Sequence, residues 1–129
     1  MYSENSIISD INDPATIQAV WEKGIIVEGY DADLYRKDFG GAWMARDAHG
    51  DRERDLGWEI DHVYPTDKGG DNHLINLRPM NWRNNLSKDN DYPQYWTAMV
   101  AQDNKNIEKR VRCTVNASLQ QKLKDLYEL

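Results

Sequence analysis

Between Gly57 and Asp89 the chain reads GWEIDHVYPTDKGGDNHLINLRPMNWRNNLSKD, and this succession of short apolar and polar runs leaves few ways to fold. Trp58 to His62 has the length and composition of a short strand. VYPTDKGGDNH is too polar and too rich in Gly for helix or sheet, and Leu74 to Leu77 is predicted to return as a second strand. In NWRNNLSKD, Trp82 and Leu86 stand four residues apart. That spacing predicts a helix over 81–89 with both side chains on the core and Asn81, Asn84, Asn85 and Lys88 clustered away from it.

The flanks supply the rest of an α+β chain. Asp13 and Pro14 read as the cap and first turn of a helix over 14–23, in which Ile17, Val20 and Trp21 recur at helical spacing until Gly24. The stretch from Ile25 to Gly57 is predicted to wrap the core as loops, turns and short strands. Beyond Pro93, Ile107, Val111, Cys113 and Val115 alternate with Glu108, Arg110, Arg112 and Thr114. This segment is predicted to pair with YWTAMVA through the turn QDNKN as a hairpin. Asn116 then caps a last helix striped by Leu119, Leu123 and Leu126.

The 129 residues fit one domain, 1–129, with the 57–89 segment at its centre. No apolar run approaches the ~18 residues that span a bilayer, and MYSENSIISDINDP has neither the basic start nor the apolar core of an export signal. A single cysteine, Cys113, excludes an intramolecular disulfide and a thiolate zinc knot, which fits a cytoplasmic location with no membrane partner.

Charge is distributed unevenly. The formal net charge is -6, and residues 1–34 account for all of it with seven acids and one base, Lys23. The remaining residues hold 15 bases and 15 acids, so a mixed-charge lobe stands beside an acidic one.

The 57–89 segment also concentrates the groups that phosphodiester hydrolysis needs. A water must be deprotonated near neutral pH, for which His62 is suited. Charge on the phosphate and leaving oxygen must be neutralised, for which a divalent cation on hard oxygen ligands is suited. Asp61 and His62, adjacent on a strand, point to opposite sides, which suggests a division into ligand and base. An Asn carbonyl from the following helix can complete the cation site, and spacing alone does not choose between Asn84 and Asn85. Oxygen donors favour Mg2+ or Mn2+ over Zn2+. Gly69-Gly70 reads as a tight turn, and Asn76 as a residue that bonds the loop backbone.

Taken together, Glu59, Asp61, His62, Pro65, Gly69, Gly70, Asn76, Leu77, Asn85 and Lys88 resemble the HNH nuclease family. Its pattern is approximately E-x-D-H-x-x-P, a Gly-Gly loop, N-L, and a helix ending N-x-x-K. The match covers about a quarter of the chain, and the upstream RKDFGGAW is similar to the lead-in of bacterial members. The resemblance implies a ββα-metal centre and an endonuclease acting on DNA. By position it makes His62 the general base and Asp61 with Asn85 the metal ligands. It has Asn76 bracing the loop and orienting His62, Lys88 near the phosphate backbone, and Glu59 supporting the site. Arg78 and Arg83, at the start of the helix, are candidate phosphate contacts.

Two departures accompany the match. CxxC pairs for a structural zinc are absent, so packing of Trp, Tyr and Leu must stabilise the centre, and the final ligand is Asn rather than His, which favours Mg2+. The expected partner is double-stranded DNA, with a homodimer or a neutralising protein as further candidates. The acidic balance keeps a second reading open, a nucleic-acid- or protein-binding module without turnover.

Overall fold

The computed structural model describes residues 3–129, and within them the chain is an α+β fold of three α-helices and short antiparallel strands. In chain order these are α1 (Pro14–Trp21), β1 (Tyr35–Lys37), β2 (Trp43–Ala45), β3 (Trp58–His62), β4 (Leu77–Asn81), α2 (Trp82–Lys88), β5 (Gln94–Trp96), β6 (Met99–Gln102), β7 (Lys105–Glu108), β8 (Arg112–Thr114) and α3 (Ala117–Tyr127). The strands pair as β1–β2, β3–β4, β5–β8 and β6–β7. Among the described residues no helix is long and apolar enough to cross a membrane.

Burial of apolar side chains organises two clusters. Ile8, Val20, Trp21, Met44, Trp58, Leu74 and Leu77 pack α1 and the β3–β4 pair together, with the Trp21 and Trp58 rings 5.3 Å apart. Val63, Val115 and Leu123 seat α3 on the loop after β3, helped by Leu119 and Tyr127. The stripe expected on the last helix is therefore a packing face. Asn116 caps it, accepting a hydrogen bond from Leu119 N.

Several boundaries differ from the expectations. The first helix ends at Trp21, and the chain closes through turns at Lys23 and Gly24. Leu74–Asn76 forms a turn of 3-10 helix, and the second strand starts only at Leu77. The cause is that the amides of Leu74 and Ile75 donate to Ser6 and Glu4, so this stretch pairs with the N-terminal segment rather than with β3. β4 contains Pro79, which has no N–H to donate; with β3 its only neighbour, the strand tolerates it.

The C-terminal ribbon is likewise two short ladders. β6 and β7 close through Asp103, whose φ is 53°, and β5 pairs β8 beyond a break at Thr97, whose hydroxyl donates to Lys109 O and accepts from Val111 N.

The largest departure concerns α2. Leu86, expected on the core, is 53% exposed, while Asn84 and Lys88 are fully buried. The inward face is polar because Asp38, also fully buried, waits there as an acceptor. Its carboxylate takes hydrogen bonds from Gly40 N, Ala42 N, Asn81 N and Asn84 Nδ2 at 2.9–3.1 Å. Burial pushes the Asp38 carboxyl up against the pull of these bonds. Packing of apolar side chains is thus only part of what holds the centre; a polar staple joins the β1–β2 turn to α2.

A second long-range tie comes from Lys23, whose Nζ donates to Leu77 O at 2.6 Å and to Leu74 O. Burial lowers the lysine from 10.5 to about 8, with Glu4 opposing. Between these values the unfolded chain keeps a proton that the folded chain has released, so stability rises with pH across the interval. Urea denaturation at about pH 8 and about pH 10 is expected to show this rise in the wild type and its loss in Lys23→Met. Equal pH dependence in both proteins would contradict it.

Candidate active site

β3, β4 and α2 follow one another as two antiparallel strands and a helix, in the register Asp61 opposite Arg78 and His62 opposite Leu77. Alternation along β3 sends Glu59 and Asp61 to one face and Ile60 and His62 to the other.

On the first face Asp61 is 3% exposed and both of its oxygens are held by cations. Arg78 Nε stands 3.2 Å from Oδ2 and Lys88 Nζ 3.2 Å from Oδ1. Lys88 Nζ also donates to His62 O at 3.1 Å, which ties the end of α2 to the end of β3. Arg78 lies between the rings of Phe39 and Tyr95, 5.5 and 5.4 Å from their centroids, and its Nη2 is buried with no hydrogen-bond partner. Burial lowers the Lys88 ammonium, with Asp61 opposing. Neither cation lies on the surface. The expected contacts of Arg78 and Lys88 with a phosphate backbone are therefore replaced here by contacts with Asp61.

One turn earlier on α2, Asn85 Nδ2 donates to Glu59 Oε1 at 3.1 Å. Arg52 grips the same carboxylate through both Nε and Nη2, at 2.7 and 3.0 Å. Burial pushes Glu59 up, but the bonds from Arg52 and Asn85, with the charges of Arg52 and His49, outweigh it and hold the carboxyl below its usual range.

Hydrogen bonding separates the two asparagines that spacing could not. Asn84 donates to Asp38 and Met99 O and accepts from Ala98 N and Met99 N, so its amide is saturated. Asn85 stays half-buried beside Glu59.

His62 belongs to the other face, where its Nε2 is 2.7 Å from Asn72 Oδ1. An amide oxygen only accepts, so Nε2 carries a proton, and in the neutral ring Nδ1 then carries the lone pair. Asn72 is the hydrogen-bond partner of His62 that sequence reasoning missed; nothing in its spacing marked it. It is fixed by the N-terminal segment, Ile8 N donating to Asn72 O at 2.8 Å.

Asn76 is fully buried and braces the loop. Its Oδ1 accepts from Tyr64 N, and its Nδ2 donates to Tyr64 O and Asp71 O. Its contact with the His62 region runs through the backbone of the next residue, Val63 N donating to Asn76 O at 2.9 Å. The Gly-Gly pair serves the same loop: Gly69 has φ 110°, and a Cβ on Gly70 would meet Tyr64 O at 1.8 Å.

Arg83 is placed elsewhere, on the outer side of α2, against Trp82 and 3.6 Å from Met99 Sδ. His49 packs edge-on against Trp58, and His73 Nδ1 is 2.6 Å from Asp71 Oδ1.

Asp61, Glu59 and Asn85 are all hard oxygen donors, a set whose chemistry fits Mg2+ or Mn2+. Their positions qualify the fit. Both Asp61 oxygens already face cationic nitrogen, and among the described residues no three of His, Cys, Asp and Glu gather as a ligand cluster. A cation on Asp61 Oδ1 therefore competes with the Lys88 ammonium for the same oxygen.

No family model matches the sequence, and comparison with curated proteins and with solved structures returned no match.

Proposed function

We propose that the chain is an endonuclease that hydrolyses DNA phosphodiester bonds with His62 as general base. The observation that carries this reading is the fixed imidazole, with Nε2–H given to Asn72 and the Nδ1 lone pair left to accept a proton, at the end of a strand–strand–helix unit.

In the proposed reaction Nδ1 takes a proton from a water as its oxygen attacks phosphorus in line. The bond from phosphorus to the 3'-oxygen breaks, the alkoxide is protonated by solvent, and the products carry a 5'-phosphate and a 3'-hydroxyl. A divalent cation held by Asp61 and Asn85 would supply charge stabilisation at the phosphate and the departing oxygen. This chain's own residues do the remaining work. Asn72 sets the tautomer of His62, Asn76 keeps the loop in place, and Lys88 holds the end of β3 through His62 O.

A second reading, a binding module without turnover, is favoured by the closed Asp61–Arg78–Lys88 triad and the net charge of -6. Supercoiled plasmid incubated with the protein in Mg2+, in Mn2+ and in EDTA separates the two. Nicked circles in either metal and none in EDTA are expected of the nuclease. Plasmid that is shifted but stays supercoiled in every condition identifies the module and overturns the nuclease.

Asn72→Ala frees the His62 ring to rotate and exchange tautomers. Misplacement of a reacting group on this scale is expected to lower the nicking rate about 10- to 100-fold with little change in melting temperature. An unchanged rate would remove Asn72 from the mechanism.

A further inference from the structure

The outer side of α2 carries features that the hydrolytic site leaves unused. Trp96, at the end of β5, is 36% exposed, while the other four tryptophans are buried or half-buried. Two guanidinium groups flank its ring, Arg110 at 4.7 Å and Arg112 at 5.8 Å from the centroid.

Each arginine belongs to a different depression. Arg110 lines a groove of about 720 Å³ between α2 and the β6–β7 hairpin, together with Arg83, Lys109, Trp82 and the exposed Leu86. Arg112 lines a cleft of about 310 Å³ with Lys68 and Trp96 itself. The first depression holds three basic residues against Glu108, and the second two against Asp91. This local excess of base stands out in a chain with 22 acids and 16 bases. Ser87 Oγ donates to Trp96 O at 2.5 Å, which fixes the β5 end to α2.

We propose that Trp96 and the arginines around it form a stacking track for a single-stranded segment of DNA, with α2 as the wall shared with the hydrolytic site. The substrate class is then DNA with an unpaired stretch next to the bond to be cut. A base needs a planar face to stack on, an aromatic ring or a guanidinium plane, and its phosphates need cations along a groove. The partly exposed Trp96 with the guanidinium groups over its ring offers the first, and the basic residues of the two depressions the second. The outward Leu86 adds an apolar contact for a base or sugar. A duplex keeps its bases stacked inside and gains only the charge term. The inference rests on the nuclease reading for its purpose, but binding is measured apart from cleavage.

The test is fluorescence anisotropy of the full chain in EDTA. The probes are a labelled oligothymidylate of roughly 20 nucleotides, longer than one such site, and a duplex of equal length. Trp96→Ala is expected to weaken binding of the single strand about tenfold, with a smaller effect on the duplex and an unchanged melting temperature. Trp96→Phe, which restores an aromatic face, is expected to recover most of the affinity.

The proposal is overturned if the wild type does not bind oligothymidylate, if Trp96→Ala binds it as the wild type does, or if both probes lose affinity equally. Stacking that depends on Trp96 in a protein that never nicks plasmid leaves this inference standing and removes the nuclease. Nicking by a protein whose single-strand binding ignores Trp96 does the reverse.

Discussion

Asp61→Ala is expected to destabilise the fold by about 3–5 kcal/mol, the usual consequence of removing one partner from a buried ion pair. Arg78 and Lys88 are almost wholly buried, and both pair with Asp61. Without it, two positive charges remain in a low-dielectric interior without the carboxylate they share, and Arg78 lies 5.5 and 5.4 Å from the ring centroids of Phe39 and Tyr95. Urea denaturation of wild type and variant measures the difference, and a midpoint within error of the wild type would refute it. A triple variant, Asp61→Leu with Arg78→Met and Lys88→Met, removes all three charges and is expected to recover much of the lost stability. The consequence for function is direct. The family resemblance made Asp61 a metal ligand, whose loss would impair metal binding alone. The structure makes Asp61 part of the interior, so lost activity in that variant is interpretable only after folding is measured.

The same residue illustrates what could be read in advance. Trp58–His62 as a strand and Asn116 as a helix cap were legible, because each is set by local periodicity or by a side chain's own hydrogen bond. The polarity of α2 was read inside out. Helical spacing grouped Asn81, Asn84 and Lys88 correctly, but apolarity chose the buried face, and the acceptors that reverse the choice, Asp38 and Asp61, lie far away in sequence. Asn72 was illegible for a related reason, since its role depends on the N-terminal segment that holds its backbone. Arg78 and Arg83 looked equivalent beside the helix start. Strand pairing sends the first into the core opposite Asp61, and helix rotation sends the second to the outer groove. Tertiary partners, rather than propensities, decided these placements.

His62→Ala is expected to lower plasmid nicking by about 10²- to 10⁴-fold, the range associated with a positioned general base. The imidazole is half-buried and hydrogen-bonded to Asn72, whereas the strand end is fixed by Lys88 on the His62 carbonyl, which alanine retains. Folding should therefore survive, and circular dichroism and thermal melting of the variant should overlay the wild type. Asp61→Ala is expected to lose activity together with stability, and His62→Ala to lose activity alone. This contrast separates a group that moves a proton from one that holds the interior. Imidazole added to the buffer is expected to restore part of the rate in His62→Ala, since the half-buried site is partly open to solvent and the missing function is a lone pair. A folded His62→Ala protein that nicks at the wild-type rate would exclude His62 as the base and leave the binding-module reading as the better account of the fold.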